Sequence, residues 1–86
     1  MTIIALDDEE LALEGLVDAI RACAPHAELH GFSYAEDVLE FIEAHPCDVA
    51  FLDVEMAGIN GVELAEQLKL RNPDVNLIFA TGFSSY

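Results

Sequence analysis

Positive charge is nearly missing from this chain. Arg21, Lys69 and Arg71 stand against 17 acidic residues, and the formal net charge is −14. A segment of that sign repels phosphodiester backbones and anionic headgroups, which argues against direct contact with nucleic acid or membrane. No apolar run approaches the roughly 20 residues needed to cross a bilayer. No basic stretch followed by an apolar one marks a secretory signal, so the expected location is cytoplasmic. Cysteine is limited to Cys23 and Cys47, without metal-ligand spacing, and both are expected to be reduced and structural. His26, His30 and His45 are scattered and read as surface or loop residues rather than ligands. Repeats, linkers and low-complexity segments are also absent.

Apolar residues are not scarce. They make up 53% of the chain, with a mean hydropathy of +0.34, which is too apolar for a disordered segment. Eighty-six residues allow one domain of modest stability.

Strand and helix signals alternate along that domain. Thr2 to Leu6 is a short apolar, β-branched strand. Leu13, Leu16, Val17, Ile20 and Ala24 recur as one helical face, with Arg21 at the end where a cation suits the dipole. Pro25 stops that helix. Glu28 to Phe32 reads as a second strand, weakened by two polar residues and Gly31. Ser33 with Glu36 has the spacing of a capping box, opening a helix whose apolar face is Ala35, Val38, Leu39 and Ile42. Glu36, Asp37, Glu40 and Glu43 are its solvated side. His45-Pro46 ends it, and Asp48 to Asp53 is the third strand. Val62 to Leu70 forms a third helix on Leu64, Ala65 and Leu68. After the Asn72-Pro73-Asp74 turn, Val75 to Thr81 is a fourth strand. Its continuous apolar run predicts burial on both faces. The alternation predicts an α/β fold, a doubly wound parallel sheet with helices on both faces.

In such folds chemistry gathers beyond the carboxyl ends of the strands. Asp7, Asp8, Asp53 and Thr81 all occupy strand ends. If the first and third strands are adjacent, three carboxylates converge. They are hard to ionise together without a cation, and oxygen-only ligands suit a hard divalent ion such as magnesium.

The set Asp7-Asp8, Phe51-Leu52-Asp53-Val54-Glu55-Met56, Gly58 with Gly61, and Ile78-Phe79-Ala80-Thr81-Gly82 resembles the receiver domain of bacterial two-component response regulators. Within that family it looks most like receivers with LytTR-type or other transcriptional outputs. The resemblance implies a flavodoxin-like sheet in the order 2-1-3-4-5, and Asp53 as the phosphoacceptor for a sensor histidine kinase. It implies magnesium held by Asp8, Asp53 and the backbone carbonyl of Glu55, with Asp7 acting through the metal's water shell. Thr81 would bond a phosphoryl oxygen and move with phosphorylation. A signalling domain is expected, not an enzyme beyond its own phosphorylation and dephosphorylation.

Some features depart from that pattern. Ala57 replaces the family's usual proline, which loosens the loop without removing a ligand. The family's lysine and switch aromatic belong to a fifth strand, and residues 1–86 are expected to be a partial receiver. The fourth helix, fifth strand, fifth helix and a DNA-binding output domain are expected beyond it. The fourth strand would then be an open edge, and the chain is expected to self-associate. One rival reading is a receiver-like docking module that works without phosphorylation, which the intact acids disfavour. Another is an aspartate-dependent phosphohydrolase, which would show Asp-x-Asp where this chain has Asp53-Val54-Glu55. A nucleotide-binding role is disfavoured because no glycine-rich loop follows the first strand.

Overall fold

The computed structural model describes residues 1–53 and 61–80. Four strands, β1 (Thr2–Leu6), β2 (Glu28–Phe32), β3 (Val49–Asp53) and β4 (Asn76–Ala80), alternate with three helices. These are α1 (Glu10–Cys23), α2 (Ala35–Ala44) and α3 (Gly61–Arg71). All strand pairs are parallel, as the alternation predicts, and their order β2-β1-β3-β4 is the one the receiver resemblance implies.

The apolar runs explain the layers. Successive side chains on a strand point to opposite faces. On β1, Ile3 and Ala5 pack toward α1 with Ile20. Ile4 and Leu6 pack the other way, with Ala50 and Leu52 of β3 and with Val38, Ile42, Leu64 and Leu68 of α2 and α3. Ile4, Leu6 and Leu52 are fully buried, and each such side chain contributes about 1.5–3 kcal/mol. Gly31 has a reason to interrupt β2. A Cβ there would meet Val17 Cγ2 at 3.2 Å, so the glycine lets α1 lie close to the strand.

Several readings of the sequence change, among them the start of β4, which is Asn76 rather than Val75. Helix α2 starts one residue later than the capping box requires: Tyr34 is the N-cap, and it makes no side-chain capping bond. The Tyr34 carbonyl instead accepts from the Asp37 and Val38 amides. Strand β4 is not buried on both faces, since Ile78 and Phe79 are each 44% exposed. Asn76–Ala80 is the outer strand of the described sheet, and its Leu77 packs against the core. Cys23 is exposed rather than structural, and Cys47 is buried. Strand β3 begins at Val49 rather than Asp48, although the Asp48 backbone is bonded on both sides, to Thr2 and to Asn76.

Candidate functional site

Parallel pairing sets the site. In the β1–β3 register Leu6 lies opposite Leu52. One step further, Asp7 and Asp53 leave the same end of neighbouring strands. The Asp7 amide donates to the Phe32 carbonyl at 3.1 Å, which pins the tip of β1 to β2. Glu9 is the N-cap of α1, and its carboxylate accepts from the Ala12 amide. The Glu9 amide in turn donates to Asp7 Oδ1 at 2.9 Å. The turn before α1 therefore grips the Asp7 carboxylate. The sequence carried a signal for this contact, because an aspartate commonly bonds the amide two residues on.

Asp7, Asp8 and Asp53 each offer a carboxylate oxygen, and these lie within 4.8 Å of one another. Asp53 is buried at 7% exposure, Asp7 is partly buried and Asp8 is exposed. Burial pushes the Asp7 carboxyl above the usual carboxylate range. The Glu9 amide opposes that shift, and the neighbouring Asp53 and Asp8 reinforce it. The sequence-predicted trio is thus brought together. Glu55 and Thr81 lie outside the described residues. Thr81 follows Ala80, which pairs with Asp53.

Lys69 is held far from this cluster. Its Nζ donates to the carbonyls of Pro73, at 3.4 Å, and Val75, at 2.8 Å, below the first residue of β4. Ala80 beside Asp53 is five residues further along, about 16 Å at strand rise. Arg71 lies 3.6 Å from Glu43.

A family model for the response regulator receiver domain matches residues 3–86. The chain belongs to that family. Among relatives of this receiver, the sensory transduction protein LytT of Bacillus subtilis is 27% identical over 86 residues, covering 100% of this chain and 36% of its own length. The DNA-binding transcriptional activator DevR/DosR of Mycobacterium tuberculosis is 36% identical over 85 residues, covering 96% and 38%. The chain thus spans little more than a third of these curated relatives. Among solved structures, the response regulator TrrA of Thermotoga maritima, crystallised with Mg(2+)-BeF, superposes with a TM-score of 0.83 at 28% identity. That match covers 99% of this chain and 72% of TrrA. TrrA is also known in complex with the histidine kinase ThkA, with a TM-score of 0.81. No helix among the described residues is long and apolar enough to cross a membrane.

Proposed function

We infer that this receiver accepts a phosphoryl group on Asp53 from a phosphohistidine of a sensor histidine kinase, and that this controls a transcriptional output in a longer cytoplasmic protein. The observation that carries the reading is the meeting of Asp7, Asp8 and Asp53 within 4.8 Å at the tips of β1 and β3. Support for the partner and cofactor comes from TrrA, which has been seen with a histidine kinase and with Mg(2+)-BeF. Support for the output comes from relatives such as DevR/DosR.

The donor set fits magnesium, since all three side chains present oxygen and two are at least partly accessible. Asp8, Asp53 and the Glu55 carbonyl would hold it, with Asp7 acting through water. Bound there, magnesium would supply positive charge against the phosphoryl oxygens. In the transfer an Asp53 carboxylate oxygen forms the new O–P bond while the donor's P–N bond breaks. The electron pair of that bond leaves on the imidazole nitrogen. The product is an acyl phosphate on Asp53. Asp7 and Asp8 flank the acceptor, and by the family resemblance the Thr81 hydroxyl would donate to a phosphoryl oxygen. The chain is a signalling device whose only chemistry is its own phosphorylation and dephosphorylation. The 86-residue chain by itself is expected to pair with a second copy along β4.

The test is a magnesium titration followed by phosphorylation of the longer protein with a small acyl-phosphate donor. Asp53→Asn should bind magnesium more weakly than wild type, and incorporation should require both Asp53 and the metal. Equal affinities, or full incorporation with a chelator present, would overturn the reading.

A further inference from the structure

The geometry points to a second binding site, a groove between β2 and α2 that receives an arginine side chain from a partner protein. The groove has a volume of about 470 Å³ and is lined by Phe32, Asp37, Glu40, Phe41, Ala44 and His45. That is within the roughly 300–1,000 Å³ range of small-ligand sites. It lies on the outer edge of the sheet, since β2 is the terminal strand on that side. It shares no residue with the carboxylate cluster at the strand tips.

Its walls and rim differ in character. Phe32 and Phe41 form a tilted pair with ring centroids 5.5 Å apart, and both are only partly buried. His45 stacks on Phe41 with ring centroids 4.6 Å apart, and His30 lies tilted against the same ring at 4.6 Å. Asp37 and Glu40, one helical turn apart on α2, set two exposed carboxylates on the rim. An aromatic face beside carboxylates is the surrounding that a cation prefers. Guanidinium fits it better than ammonium. It is planar, stacks on rings, is weakly hydrated and can bond carboxylates with two N–H groups at once.

None of the cations among the described residues occupies the groove. This chain has three permanent cations. Arg71 is paired with Glu43, and Lys69 is bound to the Pro73 and Val75 carbonyls. Arg21 is on α1, which packs on the opposite face of the sheet. Among the described residues neither Asp37 nor Glu40 has an ion-pair partner. The charge of −14 adds a long-range attraction for a basic partner.

The experiment is a titration of the isotope-labelled 86-residue chain by NMR. The probe is the blocked tripeptide acetyl-Gly-Arg-Gly-amide, with the citrulline analogue as its neutral isostere. The arginine probe should shift the ring signals of Phe32, Phe41 and His45, and citrulline should not. The double variant Asp37→Asn with Glu40→Gln changes only exposed side chains and should weaken binding by roughly fivefold or more, as expected for two exposed charge contacts. Phe41→Leu should weaken it while both carboxylates remain. Shifts centred on Asp7, Asp8 and Asp53 would overturn the proposal. So would equal binding of citrulline, or unchanged affinity in the double variant.

Discussion

Replacing Asp53 by asparagine should make the metal-free receiver more stable. The substitution keeps the size and planarity of the buried side chain while removing one of three negative charges that lie within 4.8 Å of one another. At that separation each pair of full charges repels by about 3.5 kcal/mol at an effective dielectric of 20, and by about 0.9 kcal/mol in bulk water. Asp8 is exposed and screened, and the partly buried Asp7 softens the repulsion by holding its proton more tightly. The net gain should therefore sit near the low end, at about 1–2 kcal/mol. For a domain of this size that raises Tm by roughly 5–15 °C. The assay is thermal unfolding by circular dichroism at neutral pH with a chelator, repeated in excess magnesium. Without metal Asp53→Asn should melt higher. With magnesium at a hundred times Kd the wild type should gain about 2.7 kcal/mol and the variant less, narrowing or reversing the order. A metal-free variant that melts at or below wild type would refute the idea that the carboxylates are crowded.

Asp7 holds its proton more tightly in the folded chain than its ordinary value of 3.8 allows. Its contribution to stability is present below that value and is lost as pH rises through the raised folded one. In chelator the stability advantage of Asp7→Asn over wild type should grow with pH across that window, and a pH-independent difference would contradict the shift. Cys47 is pushed up to about 11 from 9.0, chiefly by burial. The folded state should therefore lose about 2–3 kcal/mol as pH rises from 9 toward 11, a loss that Cys47→Ala abolishes. In a thiol-labelling experiment the exposed Cys23 should react at once and Cys47 only on unfolding. Sedimentation of the 86-residue chain at micromolar concentration in 0.15 M salt should show association. There, charge is screened beyond about 8 Å while buried apolar area contributes roughly 25 cal/mol per Å². Ile78→Lys with Phe79→Lys should return it to monomer, and a wild-type monomer would show that the β4 edge is not sticky.

Much of this architecture was legible because period-2 and period-3.6 patterns are enforced by burial. The α3 face of Leu64, Ala65 and Leu68 is buried as expected. The convergence of Asp7, Asp8 and Asp53 followed from strand ends and adjacency alone. Less legible were features that depend on tertiary neighbours. Ser33 and Glu36 had capping-box spacing, but the start of α2 at Ala35 puts Tyr34 at the cap. The apolar run of β4 looked like a strand buried on both faces, yet the sequence of β4 does not say which of its sides are covered. Phe41 fell outside the apolar stripe assigned to α2 and became the hub of an aromatic cluster with His30, Phe32 and His45. Only the placement of β2 beside α2 reveals that contact.

Whether Asp53 is the phosphoacceptor can be read by treating the longer protein with a small acyl-phosphate donor and magnesium, reducing the product with borohydride and sequencing the peptides by mass spectrometry. A single homoserine, the reduction product of an aspartyl phosphate, is expected at position 53 and should be absent from Asp53→Ala. A phosphoryl group found instead on Ser84, Ser85 or a histidine, or undiminished in Asp53→Ala, would contradict that assignment.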